Sequence, residues 1–84
     1  MTHSEEDKVF EKLQEIIVKQ LGVDKDVVTK DAAFTKELEA DSLDVVELIM
    51  VFEEVFDLSI EDDVAGQMVT VNDVLEYIMS ETEA

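Results

Sequence analysis

The segment Asp41-Ser42-Leu43-Asp44 combines residue types and a spacing that suit the covalent attachment of a phosphodiester. If Asp41 is the N-cap of a helix, Asp44 falls at position N3, and Ser42 at N1 keeps its hydroxyl free because capping does not consume it. A phosphate on that oxygen would lie at a helix N-terminus, where free N–H groups and the helix dipole favour anions. The four residues alone leave an alternative, in which Ser42 is itself an ordinary N-cap.

Other site chemistries find little support in the chain. It contains no Cys, which excludes a disulfide framework, a thiolate zinc site and a cysteine nucleophile. The single His, His3, stands near the N-terminus, and we expect no catalytic or metal-binding role for it. An EF-hand loop needs Gly at its sixth position and Glu at its twelfth, and loops centred on Gly22 and Gly66 both fail this test. The sequence therefore predicts no metal site.

Four helical segments are expected to position the Ser42 motif, because apolar residues recur at three- and four-residue steps without strand alternation. We predict helices from Ser4 to Leu21, from Asp41 or Ser42 to Phe56, from about Asp62 to Gln67 and from Thr70 to Met79. The expected cap pairs are Ser4 with Asp7, Asp41 with Asp44, Ser59 with Asp62, and Thr70 with Asp73, while Gly22 ends the first helix. The fold class is thus all-α: a small four-helix bundle with a long first loop and a short third helix.

The long first loop, residues 22–40, has no clear element of its own over 19 residues. Such a length is unusual in a compact domain unless the loop is packed by its own side chains. We expect Val27, Val28, Phe34 and Leu38 to anchor it. A chain of 84 residues has room for one domain, with an ordered core from about residue 4 to residue 80.

Charge is distributed very unevenly along the chain. The 23 acids and 6 lysines give a net charge of −17, which would repel a nucleic acid. All six lysines lie before residue 37, and residues 37–84 contain 15 acids. Any single acid is explained as solvated helix surface, but the set indicates a docking surface for basic partners. The longest apolar run, Leu48 to Phe52, is far shorter than the roughly 20 residues of a membrane span, so we expect a soluble chain.

From Glu39 to Met50 the sequence closely resembles the signature of the acyl carrier protein family, in which Asp-Ser-Leu precedes an acidic helix. The resemblance extends over about Val9 to Ile78, and the type II, dissociated fatty acid synthesis branch fits best. It implies that Ser42 carries a 4′-phosphopantetheine arm whose thiol holds acyl chains as thioesters. It implies further that the chain is no enzyme, and that a magnesium-dependent phosphopantetheinyl transferase moves the arm from coenzyme A to Ser42 while Asp41 helps to position the metal or the serine.

The resemblance also implies a docking surface on the second helix for basic-patched fatty acid synthesis enzymes. Its acids are Asp44, Glu47, Glu53 and Glu54, and its apolar contacts are Leu43, Val46 and Met50. Helical spacing agrees, since residues 43, 46, 47 and 50 form one stripe. A separate core face contains Val45, Leu48, Ile49, Phe52 and Phe56. For Met50, packing in the core remains an alternative to partner contact.

Four positions depart from the family pattern. The family commonly has Gly where Glu39 stands, Pro where Glu61 stands, an acid where Gly66 stands and a polar residue where Val55 stands. The first two bear on loop shape, and the last two on the volume between helices two and three, where the family shelters acyl chains.

Two other functions remain open at this stage. A peptidyl or D-alanyl carrier protein would share the fold and the arm, whereas an acidic protein-interaction module would need no modification of Ser42. We expect a monomer, located in a bacterial cytoplasm or in an organelle stroma or matrix.

Overall fold

Four α-helices occur within residues 2–82, at the places that the spacing of apolar residues predicts. A computed structural model describes the backbone of these residues and the side chains from Glu5 to Thr82. The helices are α1 (Thr2–Leu21), α2 (Ser42–Phe56), α3 (Asp62–Ala65) and α4 (Val71–Thr82). No β-strand occurs among these residues, and α1 packs against both α2 and α4. The prediction of an all-α, four-helix bundle with a short third helix is confirmed.

The buried apolar side chains form one cluster, to which α1, the long first loop, α2 and α4 all contribute. Its fully buried members include Leu13 and Ile17 of α1, Phe52 of α2 and Ile78 of α4. Complete burial of a side chain such as Phe52 stabilises the fold by about 2–3 kcal/mol before entropic costs. Within the described part of the chain, no buried side-chain nitrogen or oxygen lacks a hydrogen-bond partner.

Helix α1 begins at Thr2, so the predicted start at a Ser4 cap is wrong. The acids that follow, beginning with Glu5, lie in the first turns, where negative charge is favourable near the positive end of the helix dipole. The predicted end is confirmed. Gly22 adopts a left-handed φ of 69°, and its N–H donates to the Val18 carbonyl over 2.8 Å.

The long first loop is held by backbone hydrogen bonds to the connection between α3 and α4. Residues Lys25–Val27 form one 3₁₀ turn, which the sequence did not predict. Ala33 and Thr70 form an antiparallel bridge, and the Phe34 N–H donates to the Val69 carbonyl over 3.0 Å. These long-range bonds explain how a long connection between helices stays packed.

Three of the four predicted loop anchors are buried: Val28, Phe34 and Leu38. The fourth, Val27, is exposed, because the 3₁₀ turn directs its neighbour Val28 into the core instead. Three alanines that the sequence analysis did not single out, Ala32, Ala33 and Ala40, are also buried.

The two caps predicted for α3 and α4 have opposite outcomes. Glu61, without a side-chain hydrogen bond, is the N-cap of α3, so the predicted Ser59–Asp62 pair is wrong. The Ser59 carbonyl instead accepts the Tyr77 hydroxyl over 3.0 Å. The Thr70–Asp73 pair is confirmed: the Thr70 N–H donates to Asp73 Oδ2 over 3.0 Å, and the Asp73 N–H donates to Thr70 Oγ1 over 3.3 Å.

The α4 cap gives stability a defined dependence on pH. The N–H groups of Thr70 and Val69 donate to the Asp73 carboxylate and lower its pKa below the ordinary 3.8. The stabilisation is therefore fully present above the ordinary pKa of 3.8 and is lost as the pH falls through the lowered pKa.

We expect Asp73→Asn to reduce the free energy of unfolding by about 1 kcal/mol at pH 7 and by progressively less below the ordinary pKa. Urea unfolding at several pH values measures this difference, with Asp63→Asn, at an exposed acid, as the control. If the difference in unfolding free energy between the wild type and Asp73→Asn stayed constant down to the most acidic pH, this explanation would be contradicted.

Candidate functional site

The Ser42 motif is built on a capping box at the start of α2. Asp41 is extended, with φ −88° and ψ 179°, and is the N-cap. Its Oδ1 accepts the Asp44 N–H over 2.9 Å, and Asp44 Oδ2 accepts the Asp41 N–H over 3.3 Å. The predicted placement of Asp41 at the N-cap and Asp44 at N3 is confirmed, and the alternative in which Ser42 itself caps the helix is wrong.

Ser42 is the first residue of α2 and is exposed. Because Asp41 supplies the cap, the Ser42 hydroxyl is free for chemistry. The N–H groups of Ser42 and Leu43 find no acceptor among the described residues, as expected in the first turn of a helix. An anion bonded to the Ser42 oxygen would lie near these N–H groups. The site therefore fits a covalently attached phosphodiester.

One face of α2 is apolar, acidic and exposed. Leu43, Val46 and Met50 are 68%, 53% and 56% exposed, and Glu47 and Glu54 are exposed beside them. We call these five residues the α2 stripe. On the opposite side, the core members of the helix are Leu48, Ile49 and Phe52. Met50 thus lies outside the core, and packing inside the protein does not account for it.

Glu53 differs from the neighbouring acids and corrects one expectation. Its side chain is half-buried, and its Oε2 accepts the Ile60 N–H over 2.7 Å. The carboxylate thereby joins α2 to the segment that leads into α3. The sequence analysis treated Glu53 as an exposed docking acid, whereas the structure half-buries its side chain. Helical spacing gives no signal for this bond, because it reaches across a loop.

The Glu53 bond should have a measurable effect on stability. Removing the acceptor leaves the N–H of Ile60, a buried residue, without its partner, so we expect Glu53→Ala to lower the free energy of unfolding by about 1–2 kcal/mol. Glu54→Ala is the matched control at the next position, where the side chain is exposed, and should change it by no more than about 0.5 kcal/mol. Urea unfolding at neutral pH compares the two variants. Equal effects would show that the bond from Ile60 to Glu53 adds nothing to stability.

A groove of about 460 Å³ opens beside Ser42, between α2 and α3. Val45, Val46 and Ile49 of α2 line one wall. Phe34, Ala65, Gly66, Met68 and Val69 supply most of the remaining lining. The groove is mainly apolar, and Ser42, the residue at which an arm would begin, also lines it.

The four departures from the family pattern acquire physical meanings. Glu39 has φ 54°, a left-handed conformation that Gly adopts without strain, and Glu61 has φ −69°, which Pro also adopts. Gly66 has an ordinary helical φ of −65° with room for a Cβ, so its effect is to leave one wall of the groove between α2 and α3 without a side chain. Val55 does not line this groove, contrary to expectation, and instead lines another groove together with residues of α1.

Neither a metal-binding cluster nor a membrane-spanning helix occurs among the described residues. No group of three or more His, Asp or Glu side chains among them is arranged to hold a metal ion. None of the helices in this part of the chain is long and apolar enough to cross a membrane.

A four-helix bundle that presents a free serine hydroxyl beside an apolar groove fits a carrier domain with a covalently attached arm. The family model described as "Phosphopantetheine attachment site" matches residues 11–78. An acyl carrier protein of Trieres chinensis is 51% identical over 76 residues, covering 90% of this chain and 95% of that protein. An acyl carrier protein of Guillardia theta is 49% identical over 79 residues, covering 94% and 98%. One of a Picosynechococcus species is 48% identical over 77 residues, covering 92% and 95%.

The chain therefore belongs to the acyl carrier protein family. Its function is to carry acyl chains, and its cofactor is 4′-phosphopantetheine. The resemblance that the sequence analysis drew from the Asp-Ser-Leu motif and the acidic second helix is confirmed.

Proposed function

We propose that Ser42 is the attachment residue and that the chain delivers acyl groups to the enzymes of fatty acid synthesis. The observation that carries this proposal is the Asp41–Asp44 capping box, since it leaves the Ser42 hydroxyl exposed at the first position of α2. When attached, the arm supplies the thiol that holds the acyl chain as a thioester. Asp41 assists the transferase step by holding the start of the helix in place beside the hydroxyl.

The groove between α2 and α3 shelters the acyl chain in this proposal. Its volume of about 460 Å³ suits a hydrocarbon chain, and its walls are mainly apolar. Transfer of apolar surface from water into such a groove is favourable by about 0.8 kcal/mol per CH₂ group. Because Gly66 has no side chain, the wall of the groove at this position stays open to the acyl chain.

Partner enzymes dock on the α2 stripe. The stripe combines apolar side chains, which supply contact area, with acids, which attract basic patches at long range. Asp44 lies beside it in the first turn, while Glu53 supports the surface from the side through its bond to Ile60. The first partner is the phosphopantetheinyl transferase, and the others are the fatty acid synthesis enzymes.

The carrier itself has no catalytic residue in this proposal, because Ser42 receives the arm and the chemistry on the cargo belongs to the partners. The single apolar cluster and the match over residues 11–78 support one carrier domain, with a core from about residue 4 to residue 80. In this proposal the domain acts as a monomer. A bacterial cytoplasm or an organelle stroma or matrix is the compartment that suits the organisms of the three relatives.

The mass of the intact protein, purified from its own cells, tests the proposal. We expect the mass of the chain plus one arm, with additional species in which the arm carries fatty acyl groups. Aminoacyl cargo would instead favour a peptidyl or D-alanyl carrier, and an unmodified chain would favour the acidic interaction module.

A further inference from the structure

A second groove lies on the other side of α2, between α1 and the C-terminal half of α2. Its volume is about 390 Å³, and it is lined by Lys12, Glu15, Ile16, Val18, Lys19 and Val55. Val55 is 42% exposed although it is apolar, and Val18 is half-buried. The groove thus has apolar walls that the fold leaves in contact with solvent.

The rim of this groove is cationic in a strongly acidic protein. Lys12 and Lys19 are seven residues apart, which places them two helical turns apart on the same face of α1. They outnumber Glu15, the acid that also lines the groove. Neither lysine forms an ion pair with another described residue. The ion pair found among the described residues joins Lys30 to Glu6. The charge of this groove is therefore opposite in sign to that of the α2 stripe.

We propose that the groove between α1 and α2 binds an acidic amphipathic helix of a partner protein. The apolar residues of that helix would pack against Val18 and Val55, and its carboxylates would pair with Lys12 and Lys19. Val55 directly follows Glu54 in α2, so the groove borders the α2 stripe. A partner that covers both surfaces must place basic residues over the stripe and acidic residues over the groove, which fixes its orientation on the carrier.

Charge also argues for a protein helix and against an anionic lipid surface. Each lysine near such a surface contributes about 1 kcal/mol, and two of them compete with the repulsion of a chain whose net charge is −17. A short helix can place carboxylates beside the two lysines while leaving most of the carrier's acids uncovered, although Glu15 also lines the groove. A membrane would face those acids with an extended negative surface.

Salt dependence gives this groove a distinctive signature. At low ionic strength the whole carrier repels an acidic peptide, whereas at about 0.15 M the Debye length of about 8 Å leaves mainly the nearest charges in play. Binding in the groove should therefore hold or strengthen as salt rises to this value. Binding of a basic peptide to the α2 stripe should weaken over the same range.

The test is a titration of the isotope-labelled carrier with a designed helical peptide, followed through the backbone amide NMR signals. The peptide is about 18 residues long, sufficient for an isolated helix, and has one leucine face flanked by glutamates. A second peptide replaces every glutamate with lysine. We expect the glutamate peptide to shift the amides of residues 12–19 and 55, and the lysine peptide to shift those of the α2 stripe.

Variants separate the contributions of charge and apolar contact. Lys12→Glu with Lys19→Glu should weaken binding of the glutamate peptide by at least about tenfold. The matched control, Lys25→Glu with Lys36→Glu, makes the same change of net charge at exposed lysines outside the groove and should leave specific binding in place. Val55→Thr, which keeps the shape and replaces one methyl group with a hydroxyl, should weaken binding without unfolding the protein, as circular dichroism would verify.

The proposal is overturned if the glutamate peptide shifts no signals in the groove, or if it shifts them equally in the Lys12 and Lys19 double variant. Shifts of the same amides by phosphatidylglycerol vesicles, without shifts by the peptide, would identify the groove as a lipid contact. None of these outcomes bears on the attachment of an arm to Ser42, so this inference and the proposed function fail separately.

Discussion

Substituting Ala for Ser42 will abolish attachment of the phosphopantetheine arm while leaving the fold intact. The Ser42 side chain is exposed, and the cap of α2 is supplied by Asp41, so the substitution removes the hydroxyl without removing a stabilising bond. We expect the free energy of unfolding to change by no more than about 0.5 kcal/mol. Incubation with coenzyme A, magnesium and a phosphopantetheinyl transferase should add one arm to the wild type and none to the variant, as measured by intact mass.

The other serines provide the control for this experiment. The chain contains Ser4, Ser59 and Ser80 in addition to Ser42, and Ala at either Ser59 or Ser80 should leave loading complete. Since the chain has no Cys, any free thiol detected after loading belongs to the arm. An arm found on the Ser42→Ala variant, or a wild type that accepts none, would refute the assignment.

Sequence reasoning succeeded where the signal lies within a few consecutive residues. The caps of α2 and α4 each join residues three apart, Asp41 with Asp44 and Thr70 with Asp73, and both were predicted. The exposure of the α2 stripe was also predicted, because the 3.6-residue period of a helix places its residues on a different face from those of the core. Such features depend on local geometry, which the order of residues largely determines.

The features that sequence reasoning missed depend on contacts between distant residues. Glu53 resembled any exposed acid of α2 until the fold brought the Ile60 N–H to its carboxylate. Ser59 was read as a helix cap, but its carbonyl is held by Tyr77, 18 residues away. The bridge from Ala33 to Thr70 and the groove beside Ser42 likewise arise from packing of separate segments. No periodicity or motif in one segment encodes them.

Reversing two charges of the α2 stripe will slow the association of the carrier with a ketoacyl synthase. In Glu47→Lys with Glu54→Lys, attraction to a basic patch becomes repulsion at two exposed positions. Electrostatic steering raises association rates by about tenfold to a thousandfold, so we expect a decrease of at least about tenfold at low salt. The difference from the wild type should shrink as salt rises, because exposed charges are screened. Stopped-flow kinetics at two salt concentrations measures both effects.

The choice of Glu47 and Glu54, and the retention of Glu53, makes this result interpretable. Neither altered carboxylate accepts a hydrogen bond in the described part of the chain, whereas loss of the Glu53 carboxylate would also disturb the path into α3. The control, Asp24→Lys with Asp31→Lys, makes the same change of net charge at exposed positions of the first loop. Slower association in the stripe variant alone would locate docking on α2. An equal decrease in both variants would mean that overall charge governs the encounter, and an unchanged rate in the stripe variant would direct attention to the acids of residues 61–63, which are also exposed.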